Sequence, residues 1–149
     1  VLQACADPRG EHHGTWLGAA MRSAYANLFR AGICHSLEVW RDGVLVGGIY
    51  GLALGRCFFG ESMFSRVDDG SKLALHALCR QLAAWDYPLL DCQVASPHLL
   101  RLGARLLPRA RFLAQLRAAV AQPGRSGRWC FDLPMPGDPR HLPREEATA

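Results

Sequence analysis

The chain has 149 residues and a mass of 16.4 kDa, and half of its residues are hydrophobic against 20% charged. That is enough for one compact domain with its own core and excludes a disordered chain, and no apolar run approaches the roughly 20 residues that a membrane-crossing helix needs. Seventeen basic against thirteen acidic residues leave a net charge of +4, and sixteen of those cations are arginine, a balance that suits a nucleic-acid partner.

Residues 1–14 are polar and carry Pro8, Gly10 and Gly14. Thr15 can then cap a helix from Trp16 to Arg30, with Leu17, Ala20, Met21, Ala24, Tyr25, Leu28 and Phe29 on one stripe, ended by Gly32. Alternation predicts a strand over Cys34 to Trp40, the Asp42-Gly43 pair a hairpin turn, and Val44 through Leu54 the second strand. Cys57 to Phe59 reads as a third short strand, and Gly60 to Gly70 as a polar loop. Ser71 opens a helix on which Leu73, Leu75, Ala77, Leu78, Leu82 and Trp85 recur at helical spacing, and Pro88 stops it. Leu89 to Val94 reads as a strand, Pro97-His98 starts a helical turn ending at Gly103, and Arg109 to Ala121 forms a last helix after Pro108. The elements make an α+β domain with a mixed sheet flanked by helices. The expected division is a folded domain over 1–121 and a flexible, basic, Pro/Gly-rich tail over 122–149. Residues 99–149 hold nine arginines against four acids, and the cations around Arg125 and Arg128 are expected to meet a nucleic-acid backbone.

Six widely spaced cysteines without a CxxC pair argue against a zinc knuckle or a disulfide framework, and favour a reduced, cytoplasmic setting. The six histidines form neither HExxH nor HxH, so no metal is expected. There is no phosphate-binding glycine loop and no G-x-S-x-G elbow, and Cys92 beside Asp91 is a weak candidate nucleophile. Two stretches remain chemically odd. In Gly60-Glu61-Ser62-Met63-Phe64-Ser65-Arg66 a carboxylate sits where core packing would prefer an apolar residue; it is either a functional acid or a solvated one paired with Arg66. In Leu89-Leu90-Asp91-Cys92-Gln93-Val94, alternation puts Asp91 and Gln93 on one face, so that an Asp could orient a glutamine whose amide oxygen faces a reacting amine; the alternative is a strand with one solvated face.

The wording of His35-Ser36-Leu37-Glu38-Val39-Trp40, Leu45-Val46-Gly47-Gly48-Ile49-Tyr50-Gly51, Phe59-Gly60-Glu61-Ser62-Met63-Phe64-Ser65-Arg66, Ser71-Lys72 and Leu90-Asp91-Cys92-Gln93 resembles the bacterial leucyl/phenylalanyl-tRNA–protein transferases, over about residues 1–118. The resemblance implies a fold related to the N-acetyltransferase superfamily (GNAT-like). It implies aminolysis of an ester: the α-amine of a protein beginning with Arg or Lys attacks the carbonyl joining leucine, phenylalanine or methionine to tRNA, which marks that protein for N-degron proteolysis. No cofactor, metal or membrane is implied. On this chain Gln93 resembles the residue that takes up the attacking amine's proton and Asp91 the residue that orients it, while Glu61 resembles the carboxylate that holds the donor's α-amine. Ile49, Phe59, Ser62, Met63, Leu78 and Leu90 are the expected walls of the donor side-chain pocket. The family's N-terminal domain is not represented before Val1; reduced or lost activity is the expectation if the protein lacks it, and none follows if the sequence is part of a longer one. A noncatalytic tRNA- or peptide-binding remnant and an acyl-CoA-dependent N-acetyltransferase are the competing readings.

Overall fold

The computed structural model describes residues 1–7 and 15–133. The described elements are α1 (Leu2–Ala6), α2 (Ala19–Arg30), β1 (Cys34–Arg41), β2 (Val44–Leu54), β3 (Cys57–Ser65), α3 (Gly70–Ala84), β4 (Leu89–Asp91), α4 (Pro97–Arg101) and α5 (Arg109–Val120). The strands form one mixed sheet in the order β1-β2-β3-β4. β1, β2 and β3 are antiparallel neighbours, and β3 pairs with β4 in parallel, with α3 as the crossover a parallel pair requires. The α+β expectation with a mixed sheet therefore holds.

The predicted hairpin forms as expected: Asp42 and Gly43 both take positive φ, 51° and 74°, the pattern of a turn whose twist matches its strands. β3 is longer than predicted. It runs through Glu61 and Ser62 to Ser65, where a loop was expected, because its edge residues find ladder partners on β2 from Leu54 back to Gly47. The second half of β3 is thus fixed by pairing with the first half of the preceding strand, β2, a signal absent from its own polar sequence. The N-terminal helix α1 was also unexpected; its Ala4, Cys5 and Ala6 are buried against the sheet's second core.

The sheet buries both faces. Ile49 and Tyr50 are consecutive on β2 and must point to opposite sides. Ile49 joins Leu37, Phe58, Leu75, Leu78, Leu82 and Trp85 under α3, whereas Tyr50 joins Leu17, Tyr25, Cys34 and Phe64 under α1 and α2. Where α3 begins, Gly70 rests on Gly47 of β2; a Cβ on Gly47 would lie 2.5 Å from the Gly70 carbonyl carbon. Only a glycine allows that approach.

The packed core does not stop at the expected boundary at 121. Residues 122–133 carry neither helix nor strand, yet Trp129 stacks on the buried His35 ring at 3.9 Å and meets Trp85 edge-on at 5.0 Å. Gln81, wholly buried on α3, donates to Asp132 Oδ1 and accepts from the Asp132 and Leu133 amides at 3.1 and 3.2 Å. The Trp85 indole donates to Asp132 Oδ2 at 3.2 Å, and the Arg125 guanidinium lies over the Trp85 ring at 4.2 Å. Composition reads this stretch as loose because prolines and glycines recur through 122–149 among charged residues. Three aromatic or amide anchors are enough to tie it down. The rest of the expected tail, 134–149, lies outside the described residues.

Candidate functional site

Glu61 owes its position to a break in the β2/β3 ladder. Gly51 faces Gly60 and Tyr50 faces Ser62, which leaves Glu61 as the one unpaired residue of a β-bulge. A bulge twists the strand locally and re-aims a side chain. Here it delivers the carboxylate to α2, where the Tyr25 hydroxyl donates to Glu61 Oε2 at 2.8 Å. Tyr25 is buried and meets the Tyr50 ring edge-on at 5.1 Å. Burial, reinforced by the adjacent Glu61, holds its phenol well above the ordinary range, so it stays a neutral donor. Glu61 is half-buried and keeps Oε1 clear of any hydrogen bond among the described residues. The arrangement suits a carboxylate that receives a cation. The alternative partner, Arg66, goes elsewhere: its guanidinium contacts Asp7 at 3.4 Å.

Asp91 and Gln93 come together, by a route other than strand alternation. β4 ends at Asp91, and Gln93 takes a left-handed φ of 63°. The cause is local, since Asp91 Oδ1 accepts the Gln93 backbone N–H at 2.8 Å and turns the chain out of the ladder. The Gln93 side-chain amide then donates to the Gly60 carbonyl at 3.1 Å. That bond fixes which end of the amide faces outward: the nitrogen is spent on Gly60, and Oε1 is left as an acceptor. Asp91 thus acts on Gln93 through the main chain. The side-chain bond ties Gln93 directly to Gly60, the residue before Glu61.

Of the expected pocket residues, Ile49 and Leu78 are buried in the core under α3, with half-buried Met63 and Leu90 packed against it. Phe59 lies on β3 opposite Asp91, and Ser62 lies past the bulge opposite Tyr50. A cavity of about 440 Å³ opens past the end of β3, between Asp7, Met63, Ser65, Arg66, Ser71 and His98. A second hollow of about 630 Å³ follows the β1 edge and contains none of the expected site residues. The sequence reading passed over Tyr25, whose one signal was a hydroxyl on an otherwise apolar helix stripe.

Cysteine chemistry finds no support here. Burial, with Cys79 and Asp91 nearby, pushes the Cys92 thiol up, away from the reactive thiolate. All six cysteines are free, and among the described residues no group of three or more His, Cys, Asp or Glu side chains could hold a metal ion. No helix among the described residues is long and apolar enough to cross a membrane.

The model of the leucyl/phenylalanyl-tRNA protein transferase family matches residues 1–117. The chain belongs to this family. Its relatives include the leucyl/phenylalanyl-tRNA–protein transferase of Nitrosomonas europaea, 50% identical over 137 residues, which cover 92% of this chain and 58% of the relative. That of Thiobacillus denitrificans is 54% identical over 132 residues, covering 89% and 58%. That of Alkalilimnicola ehrlichii is 52% identical over 149 residues, covering 99% and 57%. The chain therefore spans somewhat over half the length of the curated transferases it matches. Within that span lie Glu61, Asp91 and Gln93. Membership in the transferase family favours neither the remnant nor the acyl-CoA reading.

Proposed function

We propose that the protein transfers leucine or phenylalanine, and also methionine, from aminoacyl-tRNA to the α-amine of a protein beginning with Arg or Lys. One observation carries this reading: the Gly60–Glu61 bulge holds a half-buried carboxylate and, through the Gly60 carbonyl, the Gln93 amide beside it. An aminoacyl ester brings an ammonium and a carbonyl a few ångströms apart. It needs those two kinds of partner at that spacing.

In this reading Glu61 Oε1 binds the donor's α-ammonium, while Tyr25 occupies Oε2 and keeps the carboxylate from turning. Gln93 Oε1 accepts a hydrogen bond from the acceptor amine and aims its lone pair at the ester carbonyl. A glutamine is too weak a base to retain a proton, so its contribution is orientation and a path. Attack forms the carbon–nitrogen bond. Collapse then breaks the bond to the tRNA ribose oxygen, which leaves with the proton the amine gives up. Half-buried Met63 and Leu90, with Phe59 and Ser62 on β3, are the expected pocket residues open to the donor side chain, whereas Ile49 and Leu78 are closed inside the core under α3, across the sheet from Tyr25. A wall of this kind separates side chains by shape and desolvation, at about 1–3 kcal/mol per methylene. The acetyltransferase-like ancestry is part of the same proposal, supported by the bulged β3, the crossover α3 and the parallel β4.

The test is transfer of labelled leucine from leucyl-tRNA to a peptide beginning with Arg. The expected result is transfer by the full-length protein and a loss of about a hundredfold or more in Glu61→Ala and Gln93→Ala, both of which remain folded. A folded protein that binds charged tRNA yet transfers nothing would support the remnant reading instead.

A further inference from the structure

The cavity past the end of β3 already contains a guanidinium. Arg66 reaches across it, contacting Asp7 Oδ2 and, at 3.5 Å, the Leu45 carbonyl, with its charge centre 5.7 Å from the centre of the Phe64 ring. A carboxylate, a carbonyl and an aromatic face are the three surroundings a guanidinium prefers. The hold on Arg66 is weak. The Asp7 contact is a single one at 3.4 Å between side chains that are each about half exposed, 51% and 47%, and such pairs exchange readily with other cations.

We infer that this cavity takes the basic side chain of the acceptor's first residue, with Asp7 as the carboxylate that reads its charge and Arg66 as an internal occupant that the substrate displaces. The inference rests on the proposed transfer reaction and adds to it the residue that selects the acceptor. The placement is suitable: Met63 lines the cavity and stands two residues along β3 from Glu61, about 7 Å at the usual strand rise, within reach of an extended arginine or lysine. The recognition also fits the acceptor class. A carboxylate at the end of an open cavity requires a cation but not its planar shape, so Arg and Lys both qualify. A nucleic-acid phosphate fits less well, because Asp7 would repel it. Among the described residues, Arg66 is also engaged by Asp7 and Lys72 by Asp69.

Two measurements on the full-length protein test this. In the first, argininamide and its uncharged isostere citrullinamide are titrated into the protein, independently of any transfer. Argininamide is expected to bind at least tenfold tighter, and Asp7→Asn to abolish that preference while Asp7→Glu keeps it. In the second, peptides beginning with Arg or citrulline serve as acceptors. Asp7→Asn is expected to raise the KM for the Arg peptide at least tenfold and leave that for the citrulline peptide unchanged, and Arg66→Ala to lower the KM for the Arg peptide. Unchanged preference in Asp7→Asn overturns the inference. So does a rise confined to the KM for aminoacyl-tRNA, which would assign the cavity to tRNA phosphate. Preferential binding of argininamide without transfer would instead count against the proposed reaction and leave the cavity's assignment standing.

Discussion

Glu61 shows how much a single main-chain irregularity can do. In a regular ladder, β3 would present residue 61 to one face in strict alternation; the bulge removes it from pairing and turns its carboxylate to the Tyr25 hydroxyl. In the proposed reaction Tyr25 is then a positioning residue. Tyr25→Phe keeps the ring packed on Tyr50 and removes only the hydrogen bond, worth about 1.5–3 kcal/mol where the acceptor is charged. The expected effect is a rise of about tenfold in the KM for aminoacyl-tRNA, with a melting temperature lowered by a few degrees. Steady-state kinetics beside a melting curve checks both. The residue type at 61 was legible in the sequence, because an acid beside a Met-Phe pair is out of place in a core. Its partner was not, since a tyrosine on a helix stripe looks like any other apolar contact. Gln93 was legible as a candidate for the wrong geometric reason: the Asp91 carboxylate turns the chain and meets the Gln93 main chain, which alternation along a continuous strand does not describe.

At the scale of elements, local chemistry wrote most of the fold into the sequence. The Asp42-Gly43 turn, the alternation of β1 and β2, and the helical spacing of α3 each follow from residues a few positions apart. What the sequence concealed was set by partners outside each segment: the second half of β3 by the first half of β2, and the packing of 122–133 by α3. That last attachment carries a pH dependence. Hydrogen bonds from Trp85 and Gln81 hold the Asp132 carboxyl below its ordinary range. A carboxylate with a lowered folded-state pKa adds stability above its unfolded pKa, near 3.9, and loses it as pH falls towards the folded value. Acid should therefore release residues 122–133 from Trp85. Asp132→Asn should already lower the melting temperature at pH 7 and flatten its decline between about pH 5 and pH 3, measured by circular dichroism. An unaltered decline would show that Asp132 does not set it.

For the whole molecule, the sheet separates two tasks. The face under α3 is closed by apolar packing and by Trp129 and Phe131, whereas the face under α1 and α2 carries the bulged Glu61 with Tyr25, next to the end of the parallel β3/β4 pair. Ligands in sheets with parallel strands commonly bind past the strands' carboxyl ends. Here Gln93 follows the end of β4, and the cavity with Asp7 and Arg66 follows the end of β3. Donor and acceptor groups would then approach from one side, with a rigid sheet behind them.

The central claim is that Glu61 recognises the donor by its free ammonium, and one comparison tests it most directly: transfer from leucyl-tRNA against transfer from N-acetyl-leucyl-tRNA, whose amine carries no charge. The full-length protein should prefer the free amine at least tenfold, and Glu61→Gln should lose that preference through the leucyl-tRNA arm alone. A preference undiminished in Glu61→Gln would contradict the account.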